Sequence, residues 1–236
     1  MNKSFYPKIK FVADSLRKGE YSIEISIKRL ICFGWSGRVK EKVMEHVKEL
    51  AKLGIPGPKS IPEIYLIPPY LAYTGDYIEV YTKVDSGEVE YVLLFSDEGE
   101  IYVSVGSDHT DRVLERFSIE KSKQIYPKVI APKVWLYEEV IDHWDDLILR
   151  SRIKVDERME IYQEDCLKAL IRPEEIMKII EKYFDLRNMA IFSGTIPTKK
   201  GEVVSTSFFE MEFVDPILRR VIKHSYKIKK ILIEAR

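Results

Sequence analysis

Residues 86–110 read SGEVEYVLLFSDEGEIYVSVGSDHT and contain two strand-like runs joined by a short polar turn. In the first run Glu88 and Glu90 are two residues apart, and alternate side chains of a strand lie on the same face. The letters YVLLF that follow predict a buried sheet, where two neighbouring carboxylates are costly to desolvate. Asp108 ends the second run, so pairing of the two runs would bring a third carboxylate to the same end of the sheet.

A divalent cation would explain why three carboxylates meet at one end of a buried sheet. Oxygen ligands on rigid strands suit Mg²⁺ or Mn²⁺, whose other coordination positions are left to water or substrate. A Glu-x-Glu pair can also lie on a solvated face, where the repulsion between the two carboxylates costs little free energy. For Glu88 and Glu90 taken alone, this alternative stays open. The sequence therefore predicts a metal site formed by Glu88, Glu90 and Asp108.

The rest of the chain reads mainly as strands. Alternating or apolar runs separated by Gly, Asp and Ser predict strands at 21–31, 76–82, 87–95, 99–106, 146–155, 158–163, 189–195, 206–214 and 217–228. Helical spacing predicts helices at 37–54, which would end at Gly54, at 111–117 and at 172–184. Because strands outnumber helices and follow one another directly, the fold class is β-rich α+β.

Composition narrows the class of protein. The chain has 236 residues, and its 38 basic and 38 acidic residues cancel, which disfavours a nucleic-acid-binding protein. No apolar run reaches the roughly 18 residues of a membrane span and no signal-peptide core is present, so we expect a soluble, cytoplasmic protein with no membrane partner. Cys32 and Cys166 show no ligand-like spacing. Two Asn and two Gln among abundant Lys, Glu and Ile are typical of a thermophile.

Several motifs, in order, make the chain similar to the fumarylacetoacetate hydrolase superfamily over about residues 60–230. GEVEYVLLF stands at its metal-binding Glu-x-Glu, and VGSDHTDR stands where its third ligand, here Asp108, is expected. IYQED matches its substrate-side glutamine at Gln163, and FSGTIP matches its Thr-Gly-Thr-Pro turn at Gly194 and Thr195. GWSGR, VGSDHTDR and SKQ resemble a little-characterised branch of this superfamily.

The resemblance implies a mixed β-sandwich-roll of the fumarylacetoacetate hydrolase type. It implies a catalytic β-rich domain at 60–236, preceded by a strand and helix segment at 1–59 that would act as a lid or dimer element. Members of the superfamily commonly pair, so a homodimer is expected.

The resemblance also implies the chemistry. The carboxylate and keto oxygen of a small 2-keto acid would chelate a Mg²⁺ (or Mn²⁺) ion, and the ion would stabilise the enolate formed as a bond breaks. Lys123, or Lys121 if the register differs, would face the substrate carbonyl, although either could be a solvated lysine. Gln163 would donate hydrogen bonds, and Gly194 and Thr195 would hold the substrate carboxylate unless Thr195 only completes a turn.

The front of the chain departs from the superfamily, whose hydrolases activate water with a Glu/His pair on a lid. No such motif is present, and FGWSGRVKEKVMEHVKEL stands there instead. Trp35 and Arg38 would close over a bound acid, with Arg38 paired to its carboxylate. His46 would be the general acid or base. The alternatives are a solvated Arg38 and a core histidine at His46.

The sequence thus favours a Mg²⁺-dependent enzyme that hydrolyses a C–C bond of a small 2-keto acid. The missing water-activating pair keeps a second reaction open, dehydration or hydration of a 2-keto-3-deoxy sugar acid. A third alternative is a metal-stabilised binding protein that has lost catalysis.

Overall fold

The computed structural model of the chain describes residues 5–52, 57–82 and 84–231, and describes only the backbone of residues 46 and 49–52. Within these residues strands predominate. Strands β1–β9 are Lys8–Ser15, Gly19–Ser26, Arg29–Gly34, Glu63–Ile67, Ala72–Tyr73, Tyr77–Val80, Asp85–Ser86, Val89–Phe95 and Ile101–Asp108. Strands β10–β17 are Thr110–Asp111, Lys128–Ile130, Lys133–Leu136, Ile148–Val155, Arg158–Cys166, Met189–Phe192, Phe208–Asp215 and Arg220–Lys230. Helices α1–α4 are Lys40–Lys52, Arg112–Glu115, Ile119–Lys123 and Pro173–Ile180.

Two main sheets are formed by the described strands. The large sheet follows the order β2-β1-β12-β9-β8-β15-β3-β4, and β11 joins it by pairing with β9 and β5. The small sheet follows the order β14-β13-β16-β17-β6. Parallel pairs such as β15 with β3 stand among antiparallel pairs such as β8 with β9, so the architecture is mixed.

The core has two parts. One apolar cluster lies between the sheets, with Tyr91 and Val105 from the large sheet packed near Phe209 and Phe213 from the small sheet. A second cluster is drawn almost entirely from strands of the large sheet, including Phe11 of β1. Strand β8 contributes to both clusters, which explains its nearly continuous apolar sequence.

The hairpin of β8 and β9 places the acidic residues. Glu90 is paired with Gly106 across the hairpin, and the backbone N–H of Asp108 donates to the carbonyl of Glu88 at 3.0 Å. The end of β9 therefore lies beside the start of β8, as the sequence of residues 86–110 predicts.

The predicted β-rich α+β class with a mixed sandwich-roll is confirmed. Details of the elements differ. The predicted strand 21–31 is two strands, β2 and β3, and the helix predicted from residue 37 begins at Lys40. Its predicted end at Gly54 lies outside the described residues. No described helix has the length and apolar character that crossing a bilayer requires.

The predicted boundary at residue 59 does not coincide with a break in the large sheet. Strand β1 pairs with β12, and β3 lies between β15 and β4. Strands from the predicted 1–59 segment are thus integral to the sheet that carries the acidic residues. The domain boundary and the lid or dimer role of the 1–59 segment stay predictions.

Candidate metal centre

Three carboxylates meet at the β8–β9 hairpin. One oxygen each from Glu88, Glu90 and Asp108 lies within 4.8 Å of the other two. Glu88 precedes β8 and is half-buried, whereas Glu90 and Asp108 are buried completely. The cluster predicted from the sequence is therefore present.

Two of these carboxylates have one oxygen paired with a cation. Arg112 Nη2 lies 2.8 Å from Glu88 Oε1, and Lys128 Nζ lies 2.6 Å from Asp108 Oδ1. Burial alone would raise the pKa of Glu88, but Arg112 and Lys123 outweigh burial and lower it. The pairing leaves the second oxygen of each carboxylate for other partners.

Glu90 is held differently, by the main chain. The N–H of Gly194 donates to Glu90 Oε2 at 2.8 Å. Glu90 Oε1 is buried and has no hydrogen-bond partner within the described part of the chain. The N–H of Gly194 is thus engaged by this carboxylate, and the substrate-binding role of Gly194 stays a prediction.

The second oxygens of Glu88 and Asp108 face Lys123. Lys123 Nζ, at the end of α3, lies 2.5 Å from Asp108 Oδ2 and 3.4 Å from Glu88 Oε2. It also lies 5.8 Å from the centre of the Tyr65 ring. Lys121, the alternative in the sequence register, is exposed. The structure thus brings Lys123 and not Lys121 to the carboxylates.

The electrostatic environment shifts the pKa values of Glu90 and Asp108 in opposite directions. Burial raises the pKa of Glu90 well above its usual range, and the charge of Asp108 adds to the rise. Burial would also raise the pKa of Asp108, but Lys123 and Lys128 outweigh burial and lower it. Glu90 is therefore the carboxylate that most needs another positive charge in order to stay ionised.

These residues fit a divalent cation. A buried carboxylate oxygen without a partner is costly, and Glu90 Oε1 is such an atom. A set of three carboxylates, without sulfur or imidazole, is the donor set that Mg²⁺ and Mn²⁺ prefer. The unpartnered Oε1 of Glu90 and the set of three carboxylate ligands are both consistent with the Mg²⁺ or Mn²⁺ ion expected from the sequence.

Gln163 and Thr195 lie beside the start of β8, but their hydrogen bonds are already made. The amide of Gln163 donates to Thr195 Oγ1 at 2.8 Å and to the carbonyl of Ile196 at 2.6 Å. The hydroxyl of Thr195 in turn donates to the carbonyl of Val89 at 2.8 Å. In this arrangement both residues brace the strand, and the contact with substrate expected for them stays a prediction.

Arg38 is engaged away from the carboxylates. Its Nη1 and Nη2 lie 2.7 and 2.8 Å from the two carboxylate oxygens of Asp145, and its Nε donates to the carbonyl of Leu170. The predicted partner of the guanidinium is the carboxylate of a bound acid, whereas its partner in the structure is a carboxylate of the protein. The substrate-binding role of Arg38 gains no support from these contacts.

The structure describes the side chain of Trp35 but not that of His46. Trp35 is half-buried and has a left-handed φ of 58°, which is strained for a bulky residue. Its side chain hydrogen-bonds to Tyr65, the residue whose ring lies near Lys123. Trp35 is therefore linked to Lys123 through Tyr65. The side chain of His46 lies outside the described residues, so its role stays a prediction.

A buried hydrogen-bonded chain beside the site was not predicted. His109 Nε2 lies 3.0 Å from Asp85 Oδ1, its Nδ1 lies 3.0 Å from the hydroxyl of Tyr226, and that hydroxyl lies 2.8 Å from Ser107 Oγ. Burial lowers the pKa of His109 despite the neighbouring Asp85. The chain ties the segment around Asp108 to the small sheet. His109 is thus adjacent to a predicted ligand without facing the carboxylates.

A surface cavity of about 480 Å³ lies near the site. Tyr65 and Ile119 line it, together with Phe117 and Phe184, but the three carboxylates do not. The cavity is therefore not the pocket of the candidate metal centre.

A family model described as "Protein of unknown function (DUF2848)" matches residues 33–226. Among curated proteins, Protein germ cell-less of Drosophila melanogaster is 30% identical over 107 residues, which is 45% of this chain. The chain spans 17% of the length of that protein, so the match is local.

Solved structures share the fold. Cg1458 with inhibitor is similar at a TM-score of 0.64 and 16% identity, covering 91% of this chain and 81% of that one. A 2-keto-3-deoxy-D-arabinonate dehydratase complexed with magnesium and 2,5-dioxopentanoate is similar at 0.62 and 15% identity, covering 89% and 76%. A 4-oxalocrotonate decarboxylase from Pseudomonas putida G7, complexed with magnesium and adipate, is similar at 0.52 and 14% identity, covering 85% and 77%.

The dehydratase and the decarboxylase are members of the fumarylacetoacetate hydrolase superfamily. At these identities the likeness shows the fold alone. It confirms the fold that the resemblance of the sequence implied.

Proposed function

The chain belongs to the DUF2848 family, and we propose that it is a Mg²⁺- or Mn²⁺-dependent enzyme acting on a small 2-keto acid. The observation that carries the proposal is the buried cluster of Glu88, Glu90 and Asp108, with the unpartnered Oε1 of Glu90 within it. The dehydratase of the same fold, complexed with magnesium and 2,5-dioxopentanoate, supports the choice of ion and of substrate class.

Each side chain has a distinct part in this proposal. A bound divalent ion would supply Lewis-acid stabilisation of the negative charge that develops on a substrate oxygen. Lys123 is the proposed catalytic residue, because its ammonium lies against Asp108 and Glu88 and can donate to an anionic oxygen held beside them. Gln163 and Thr195 act as positioning residues that hold the start of β8.

The reaction itself has two candidates. Hydrolysis of a C–C bond, the first expectation from the sequence, needs a group that activates water. No histidine side chain that the structure describes contacts the three carboxylates. The ring of His109 is bonded to Asp85 and Tyr226. The ring of His143 is bonded to Asp215, and that of His224 to the carbonyl of Gly75. This observation favours a lyase reaction, such as dehydration of a 2-keto-3-deoxy sugar acid. Hydrolysis would then depend on His46.

Metal binding is the first experiment. Glu90→Gln should weaken Mn²⁺ or Mg²⁺ binding at least tenfold in calorimetry, because a charged ligand is replaced by a neutral amide. The metal-free variant should be at least as stable as the wild type, since a buried carboxylate with a raised pKa is removed. The exposed Glu24 on β2 provides the control Glu24→Gln, which should change neither property. Equal metal affinity in all three proteins would refute the proposed site.

Product identification is the second experiment. The metal-loaded protein is incubated with acylpyruvates, oxaloacetate and 2-keto-3-deoxy sugar acids, and the products are identified by mass spectrometry. If hydrolysis is found and His46 is its acid or base, His46→Ala should lower turnover roughly 10²–10⁴-fold with little loss of folding stability. A core histidine would instead lower stability and leave turnover per folded molecule nearly normal. Binding without turnover across the panel would favour a non-catalytic binding protein.

The homodimer is proposed on the resemblance of the sequence alone. Light scattering of the purified protein at several concentrations tests it. A mass near the 27.7 kDa of a single chain at all concentrations would refute it.

A further inference from the structure

Tyr65 on β4 borders both the acidic cluster and the surface cavity of about 480 Å³. The centre of its ring lies 5.8 Å from Lys123 Nζ, the group proposed to donate to a substrate oxygen. The same residue lines the cavity, whereas Glu88, Glu90 and Asp108 do not. A ring that borders both spaces can keep them apart.

Several contacts hold this ring in place. Tyr65 is buried, its backbone pairs with Cys32 on β3, and its hydroxyl donates to Glu63 Oε2 at 2.9 Å. The side chain of Trp35 hydrogen-bonds to it. The ring also packs against the backbone of β3, since a Cβ added at Gly34 would lie 2.7 Å from Tyr65 Cε2. The ring is therefore a fixed wall rather than an exposed, mobile side chain.

The cavity has apolar walls that suit a hydrocarbon chain. Ile64, Phe117 and Ile119 are among the side chains that line it, and apolar walls of this kind bind the apolar part of a ligand. Helix α3 reaches both spaces, because Ile119 lines the cavity and Lys123 at the other end faces the carboxylates. A 2-keto acid held at Lys123 would thus have apolar space within reach, behind the ring of Tyr65.

We infer that Tyr65 is a specificity-determining residue whose ring closes the metal centre to the apolar cavity and restricts its ligands to 2-keto acids with a short carbon chain. Removal of the ring joins the cavity to the centre, and a longer alkyl chain can then be buried there. The inference rests on the proposed function, since it names the part of the 2-keto acid class that the same site accepts.

The test compares Tyr65→Ala with wild type by calorimetry. Each protein is saturated with Mn²⁺ and then titrated with straight-chain 2-keto acids from pyruvate to 2-oxooctanoate. In wild type the affinity should stay level or fall as the chain lengthens, because the ring leaves no apolar space for it. In Tyr65→Ala the affinity should rise about fourfold for each methylene that the cavity buries, and roughly tenfold or more from pyruvate to 2-oxooctanoate.

Tyr65→Phe and Tyr102→Ala are the matched controls. The phenylalanine variant keeps the ring and loses only the hydrogen bond to Glu63, so it should keep the wild-type dependence on chain length. Tyr102 belongs to the same apolar cluster, is also buried and donates to Glu100 Oε2 at 2.8 Å, but it does not line the cavity. Tyr102→Ala should therefore lower the free energy of unfolding and leave the dependence on chain length unchanged.

Tyr65→Leu takes the place of the alanine variant if that protein does not fold, and it should raise the affinity for 2-oxooctanoate relative to pyruvate about fourfold or more. The same dependence on chain length in wild type and in the folded variant overturns the inference. An affinity that already rises with chain length in wild type also overturns it. A wild-type protein that binds no Mn²⁺, or that binds Mn²⁺ and none of the acids, overturns the proposed function instead.

Discussion

Gln163 uses every hydrogen-bonding group of its amide inside the protein. Its Oε1 accepts from the N–H of Val89 and from Ser151 Oγ, each at 3.0 Å, and its Nε2 donates to Thr195 and Ile196. The side chain therefore joins β13, the start of β8 and the segment after β15. The carboxylates at the start of β8 depend on this junction for their position.

We expect Gln163→Leu to lower the free energy of unfolding by about 1–3 kcal/mol, because buried donors and acceptors lose their partners. Urea unfolding measures this loss. Gln124 is the other glutamine of the chain, and within the described residues its side chain makes one hydrogen bond, to the carbonyl of Leu66 near the surface. Gln124→Leu should therefore cost less than about 0.5 kcal/mol. Equal costs for the two variants would contradict a bracing role for Gln163.

The carboxylates could be predicted from the sequence because their arrangement is local. Glu88 and Glu90 follow the strand period, and Asp108 lies on the next strand of the same hairpin. Lys128 could not be predicted, because its position depends on the pairing of β11 with β9 rather than on spacing in the chain. His109 was visible next to Asp108, but its partner Tyr226 lies 117 residues away and only the fold brings it near.

At the scale of elements, the segment after β15 turns sharply at Gly194. This residue has a left-handed φ of 85°, and a Cβ added there would lie 2.1 Å from Ser36 Oγ. The turn brings the N–H of Gly194 to Glu90 on the neighbouring strand. Glycine is required both for the backbone conformation and for the close approach.

We expect Gly194→Ala to destabilise the protein by more than about 1 kcal/mol, since alanine adds strain in φ and a clash. Its Mn²⁺ affinity should also fall, because the backbone shift that relieves the clash moves the N–H that fixes Glu90. A substitution at Gly201 separates the strain in φ from the clash, because Gly201 has a φ of 70° but no atom lies within 4 Å of an added Cβ. Gly201→Ala should show the φ strain alone and keep wild-type Mn²⁺ affinity. Thermal unfolding and calorimetry make both comparisons.

Strands that pair with a neighbour in the chain could be predicted from the sequence. Strands whose partners lie far away along the chain could not. The hairpins β8–β9 and β13–β14 follow directly from alternating runs separated by short turns. Strand β1 pairs in parallel with β12, about 120 residues further along the chain, and neither was predicted. Helix α3 has five residues, too few for helical spacing to be recognised, yet it carries Lys123.

At the scale of the whole molecule, the small sheet has two unlike faces. Phe209, Met211 and Phe213 pack into the core between the sheets, so the intervening Glu210 and Glu212 lie on the opposite face. The apolar face joins the two sheets. The other face is free to carry charged side chains.

That second face carries a ladder of ion pairs across four strands. Arg152 Nη1 lies 2.7 Å from Glu212 Oε1 and 2.9 Å from Glu210 Oε1. Arg150 Nη1 lies 3.0 Å from Glu212 Oε2, and Lys223 Nζ on β17 lies 3.3 Å from Glu212 Oε1. The ladder continues to β14, where Arg150 also pairs with a glutamate. Glu212 is thus shared by three cations.

We expect Glu212→Gln to lower the free energy of unfolding by about 1–2 kcal/mol, more than the usual value for one exposed pair, because three cations then repel one another. Burial alone would raise the pKa of Glu212, but Arg152 and Arg150 outweigh it and lower the pKa. The contribution of Glu212 should therefore be complete above the carboxyl pKa of the unfolded chain, near 4.3, and disappear as pH falls through the lower folded pKa.

Unfolding measured from pH 7 to pH 2 tests the ladder, and the difference between wild type and variant should shrink at low pH and in high salt. The difference should grow with temperature, because desolvation of charged groups becomes less costly. Glu24→Gln is the control, since Glu24 makes one exposed pair with Lys8 at 3.4 Å. A cost for Glu212→Gln no larger than that of the control would mean that the ladder adds nothing beyond isolated surface pairs. A larger cost would show that the charged face of the small sheet stabilises the scaffold on which the carboxylate cluster is built.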